Sequence, residues 1–222
     1  MPVFDKHKLV FHHVPKTAGR AVTDWLGSAD AHPGHLPAMF IERQMELWET
    51  YNGILPDRKS YKTFTVLRDP LERIRSAFEH IKATNEDDVG ENGLLRTEYS
   101  QNFDGTFEDF LLKENIIDVV MSKNATMLYP LTWMFCDITK DPRNPIVHAP
   151  DLVLSFDSLE NDLLYLREKM NLDIRKDFKL KRTIYPPVNL SARAWKKARR
   201  LWDWDFKIYD FFLENFYVKK VL

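Results

Sequence analysis

The chain has 222 residues, 44% hydrophobic and 29% charged, a composition that folds as one sizeable globular domain spanning 1–222 and excludes a disordered chain. Thirty-two lysines and arginines against thirty-three acids leave a net charge of −1, so bulk charge predicts no affinity for nucleic acid or a membrane surface. The single cysteine, Cys136, excludes an internal disulfide framework and a cysteine-rich zinc site, and no apolar run is long enough for a membrane-spanning helix.

Met1–Leu9 carries Asp5, Lys6, His7 and Lys8 and lacks the apolar stretch of a secretory signal, so a soluble protein in the cytoplasm is expected. Leu9-Val10-Phe11-His12-His13-Val14 reads as a short buried strand closed by Pro15. A short helix follows, with Ala21, Val22, Trp25 and Leu26 as its apolar patch and Gly27 as its stop. Ala29 to Pro37 is a predicted loop. Phe64-Thr65-Val66-Leu67 is a second strand, after which Asp69 caps a helix that opens on Pro70 and buries Leu71, Ile74, Phe78 and Ile81.

Asn85 to Gly93 is acidic and reads as an exposed loop bordering a cleft. Phe107 to Tyr129 is predicted mainly helical, and Lys140 to Pro150, with three prolines, irregular. Leu152-Val153-Leu154 is the third strand, followed by a capping box of Asp157 and Glu160 and a stripe of Leu159, Leu163, Leu166 and Met170. Arg175 to Arg200 holds ten basic residues and one acid, Asp177, so charge is segregated although the total is balanced. Within it, Trp195, Ala198 and Trp202 are the expected buried side of a helix. Phe206, Tyr209, Leu213 and Phe216 then dock a final helix. This alternation predicts an α/β fold, a central and mostly parallel sheet of four or five strands flanked by helices.

Two turns carry chemistry. Val14-Pro15-Lys16-Thr17-Ala18-Gly19-Arg20 joins a strand to a helix, where small residues let backbone N–H groups and a helix N-terminus converge on an anion. Lys16 adds a charge and Thr17 a hydroxyl donor. The plainer reading is a turn permitted by Gly19 with Lys16 solvated. In Leu67-Arg68-Asp69-Pro70-Leu71-Glu72-Arg73-Ile74-Arg75-Ser76, Arg68 sits where a strand ends, the edge at which open α/β sheets bind ligands. Ser76 lies about 140° around the helix from Leu71, off the buried stripe. A guanidinium and a hydroxyl on one phosphate is sound anion-binding chemistry. The plainer reading here is an Arg68–Asp69 surface pair and a solvated serine.

Together, Pro-Lys-Thr-Ala-Gly after one strand and Arg-Asp-Pro-x-x-Arg-x-x-Ser after another, about fifty residues on, resemble the sulfotransferases, most of all the carbohydrate branch of heparan 2-O-sulfotransferase-like enzymes. The likeness runs from Leu9 to about Met170. It implies a P-loop nucleotide-kinase-like core and the donor 3′-phosphoadenosine 5′-phosphosulfate. It places Lys16, Thr17, Ala18 and Gly19 at the donor's 5′ end, and Arg68 and Ser76 at its 3′-phosphate. The family commonly has threonine or serine, then a further serine, after the loop glycine; this chain has Arg20 and Ala21. Arg20 either replaces those contacts to the donor or is aimed at an acidic acceptor.

The resemblance also implies that the histidine of Gly34-His35-Leu36-Pro37 takes the acceptor's proton, work for which imidazole is well matched at neutral pH. His13 is the runner-up, ahead of His32 and His80. Lys181, Arg182 and the Thr183-to-Asn189 loop would close over the nucleotide, or the same basic surface would bind an anionic glycan. No metal is expected: there is no HExxH motif, no cysteine pair and no carboxylate cluster at ligand spacing. The expected partner is a hydroxyl-bearing acceptor, a glycan or a small molecule. The rival readings are a P-loop-like phosphotransferase, which would need Mg²⁺ and a Walker lysine-serine pair not seen in this sequence, and a non-catalytic module binding a nucleotide or glycan.

Overall fold

The computed structural model describes residues 2–27, 60–83, 105–122, 126–137, 146–174, 177–180 and 189–222. The sheet at its centre is built from β1 (Val3–Phe4), β2 (Leu9–His12), β3 (Lys62–Leu67) and β6 (Leu152–Ser155), in the order β1-β2-β3-β6. The β2–β3 and β3–β6 pairs are parallel, while β1 pairs antiparallel with β2. The sheet is therefore mixed and mostly parallel. Its edge strand escaped sequence reading because it is two residues long, turned by Lys8 in the left-handed region (φ 52°).

Each strand alternates its apolar side chains between two helical layers. Phe4, Leu9, Phe11, Phe64, Val66, Leu152 and Leu154 face α1 (Gly19–Leu26) and α6 (Leu159–Lys169) through Val22, Trp25, Leu159, Leu163 and Leu166. In register, Phe11 and Phe64 stack with centroids 4.7 Å apart. Val3, Val10, Leu67 and Val153 face the other way, onto α5 (Leu131–Phe135) and α8 (Asp203–Asn215).

A third cluster joins α2 (Pro70–Ala83) to α3 (Phe107–Leu112), α4 (Ile116–Ser122) and α7 (Ala192–Leu201), centred on Ile74, Phe78, Phe107, Phe110 and the fully buried Trp202. The Asp69 carboxylate accepts from the Glu72 N–H at 3.0 Å, capping α2 as its sequence requires, a contact worth about 1 kcal/mol. The chain ends on α9 (Val218–Val221), with Tyr217 bridged to Val153 at the outer edge of β6.

Three local expectations need correction. Cys136–Asp137 (β4) and Ile146–Val147 (β5) form a short antiparallel pair, within and beside the stretch read as irregular. Asp157 and Glu160 form no capping box. Ser158 precedes α6 without a side-chain cap, Asp162 binds the preceding turn, and Glu160 accepts the Leu180 N–H at 3.0 Å. Trp195 is 42% exposed rather than buried; the buried residues of α7 are Ala194 and Ala198. The basic residues Arg193, Lys196, Arg199 and Arg200 of α7 are exposed, while Lys197 Nζ donates to the Leu112 carbonyl at 2.9 Å. Among the described residues no helix is long and apolar enough to cross a membrane.

Candidate anion-binding cleft

The three parallel strands end side by side, and the residue run that follows each one enters the same cleft. Lys16, Ala18 and Arg20 follow β2, Arg68 and Ser76 follow β3, and Phe156 follows β6. The cleft measures about 730 Å³, within the ordinary range for small-molecule sites. Trp25 and Phe178 close one side as an edge-to-face pair with centroids 6.2 Å apart, and Asp24, Asp177 and Lys179 also border it.

The loop after β2 is strained. Lys16 and Ala18 both adopt positive φ (67° and 66°), costly for residues with a Cβ, at about 1–3 kcal/mol each. Left-handed residues alternating with right-handed ones are the backbone pattern of anion-binding turns. Ala18 gives α1 no side-chain cap, so the first-turn amides of α1 remain for another acceptor. The Thr17 hydroxyl, expected to face an anion, instead donates to the Val14 carbonyl at 2.8 Å, and Thr17 is wholly buried. Its contribution to a ligand is therefore its backbone N–H. Gly19 is required by packing: a Cβ there would overlap the imidazole of His13, which stacks on Phe11 at 5.3 Å. That placement gives His13 a packing role beneath the loop.

Lys16 is half-buried, and no carboxylate among the described residues pairs with it. Burial lowers its pKa below the ordinary lysine value, and the nearby charges of Arg68 and Arg20 lower it further. The site thus gathers three cations that repel one another. Arg68 lies over the Phe156 ring, 4.5 Å from its centroid, with the half-exposed Glu72 carboxylate at 3.6 Å. Ser76 is buried on the face of α2 that turns to the cleft.

Arg73, in the same motif as Arg68, has a different environment. It is fully buried and donates to the carbonyls of Met127 (3.2 Å) and Tyr129 (2.8 Å) and to Asp205 (3.4 Å). Asp205 in turn accepts the Leu131 N–H at 2.8 Å at the start of α5. Burial pushes the Asp205 carboxyl up to about 6, against the pull of Arg73 and the amides of Leu131 and Thr132.

The structure brings Lys16, Ala18, Arg20, Arg68 and Ser76 to one cleft, with Thr17 and Gly19 beneath it. His35, His32 and the 181–188 segment with Lys181 and Arg182 lie outside the described residues, and His80 is exposed on α2. Sequence reading missed Phe156, Trp25 and Phe178 as cleft residues. Phe156 had a signal, since it follows the third parallel strand as Arg68 follows the second. Among the described residues no group of three or more His, Cys, Asp or Glu is placed to hold a metal ion.

A family model described as "Sulfotransferase family" matches residues 1–211. No curated protein and no solved structure matches the chain.

Proposed function

The chain belongs to the sulfotransferase family, and from this membership and the cleft we propose that it transfers a sulfuryl group from 3′-phosphoadenosine 5′-phosphosulfate to a hydroxyl of a carbohydrate acceptor. The observation that carries the reading is the convergence of Lys16, Arg20 and Arg68, with the uncapped start of α1, at the carboxyl edge of the parallel strands. Cations held in mutual repulsion beside a cleft fit a ligand with several negative charges. The aromatic side chains of Trp25, Phe156 and Phe178 on the same cleft fit its uncharged part.

When bound, the donor supplies the sulfuryl group and a phosphate leaving group. Lys16 and the amides of Thr17 to Gly19 hold positive charge where negative charge accumulates as that bond breaks, and preorganised donors of this kind are worth most there. Arg68, braced by Phe156 and Glu72, and Ser76 hold the 3′-phosphate and supply orientation. Arg20, exposed at the rim, adds a further charge. His35 takes the proton of the acceptor hydroxyl.

Incubation with radiolabelled donor and a panel of neutral and anionic glycans is expected to move label onto a glycan, and His35→Ala is expected to abolish transfer while donor binding persists. Phosphoryl transfer from ATP in place of sulfuryl transfer would identify a phosphotransferase. Donor binding without transfer to any acceptor would identify a binding module.

A further inference from the structure

Asp162 is a heavily engaged carboxylate that lies outside the proposed donor site. It is fully buried at the start of α6 and accepts four contacts, two on each oxygen. Oδ2 accepts the Ser155 N–H and the Ser158 hydroxyl, both at 2.9 Å. Oδ1 accepts the Tyr217 hydroxyl at 2.8 Å and approaches Lys219 Nζ at 3.1 Å. The Tyr217 and Ser158 hydroxyl oxygens lie 3.2 Å apart, each turned to the same carboxylate. The carboxylate therefore joins the β6–α6 turn to the last residues of the chain.

That turn carries Phe156. Its N–H donates to the Leu67 carbonyl at 2.7 Å, so Phe156 extends the β3–β6 register by one residue, directly beside Arg68. Its ring then lies under the Arg68 guanidinium. Ser155, on one side of Phe156, is held by Asp162 through its backbone, and Ser158, on the other, through its hydroxyl. On the outer edge of β6 the Val153 N–H donates to Phe216 at 2.7 Å, which fixes Tyr217 against the same strand.

We propose that Asp162, with Tyr217 and Lys219, is a positioning group for the donor site: the C-terminal segment sets the place of the Phe156 ring and, through it, the guanidinium of Arg68. The inference rests on the donor reading of the cleft. It adds that phosphate affinity depends on residues at the C-terminus that touch no ligand, through one side-chain stack. A merely structural latch would stabilise the fold and leave that affinity alone.

The test uses Tyr217→Phe and Lys219→Met, neither of which removes a cleft residue or empties the core, in the full chain with His35 intact. Titration calorimetry with adenosine 3′,5′-bisphosphate is expected to show each variant binding roughly three- to tenfold more weakly than wild type, the lower part of the range for coupled neighbours. In an Arg68→Ala background the same substitutions are expected to change affinity by less than about twofold, because the group they position is gone. Equal losses in both backgrounds, or a lowered melting temperature with unchanged affinity, would overturn the positioning role while sparing the donor reading. Failure of the wild-type protein to bind the bisphosphate would overturn both.

Discussion

Two arginines five positions apart, Arg68 and Arg73, belong to one sequence motif and meet opposite fates. Arg73 is sealed in the core, its charge met by Asp205 and two backbone carbonyls. Arg68 opens on a cleft beside Lys16 and Arg20, where burial and the two guanidinium charges lower the pKa of Lys16. Arg73 is enclosed by acceptors deep in the core, whereas Arg68, with Glu72 at 3.6 Å, shares a cleft with two further cations. The motif as written does not separate these roles; burial and partners do.

The contrast can be broken first at its structural pole. Asp205→Ala leaves the Arg73 charge buried without its carboxylate and removes the acceptor at the start of α5, an expected loss of about 3–5 kcal/mol in chemical denaturation. A loss below about 1 kcal/mol, the scale of an exposed pair, would place Arg73 in the wrong class. At the other pole, Lys16→Ala should cut turnover by roughly two to three powers of ten, the effect of removing one transition-state charge partner, with the fold intact by circular dichroism. A loss smaller than about threefold would remove Lys16 from the chemistry, being far below that scale.

Arg68→Ala should mainly weaken donor binding, by about ten- to a hundredfold as for a lost charge-assisted hydrogen bond, and leave stability near wild type. Unchanged donor affinity with collapsed turnover would contradict its assigned role. The smallest effect is a shift in pH dependence. Lys16 loses its proton below the ordinary lysine value of 10.5, because burial and the neighbouring cations disfavour its charged form. Bisphosphate affinity should therefore fall as pH rises, with its inflection below 10.5. Arg68→Ala removes one repelling charge, so the inflection should move upward even as affinity at neutral pH drops. An inflection that stays in place would show that the two cations do not share a site.

Much of this was legible in the sequence, for physical reasons that differ by element. β2, β3 and β6 announced themselves because strands buried on both faces are short apolar runs, and α2 because Asp69-Pro70 sets both its cap and its first turn. Lys16 and Arg68 were legible because each follows such a strand. What stayed hidden depends on contacts distant in sequence. The left-handed Lys16 and Ala18, the inward turn of the Thr17 hydroxyl and the need for Gly19 under His13 are consequences of packing, invisible in residue types alone. Nothing in the sequence pattern singles out Asp162, because Tyr217, which reaches it, lies fifty-five residues later. Trp195 was expected on the buried side of its helix with Ala198 and Trp202, but only those two are buried, with Ala194.

If the turns after β2 and β3 hold one ligand with phosphates at both ends, adenosine 3′,5′-bisphosphate should protect the fold against thermal unfolding. At a hundredfold excess over Kd, binding stabilises by about 2.7 kcal/mol, and for a domain of this size each kcal/mol raises the midpoint by roughly 2–4 °C. That rise is expected for the wild-type protein, a smaller one for Lys16→Ala or Arg68→Ala singly, none for the double variant, and little from ATP. No rise with the bisphosphate, or an equal rise in the double variant, would show that the two turns do not hold one ligand.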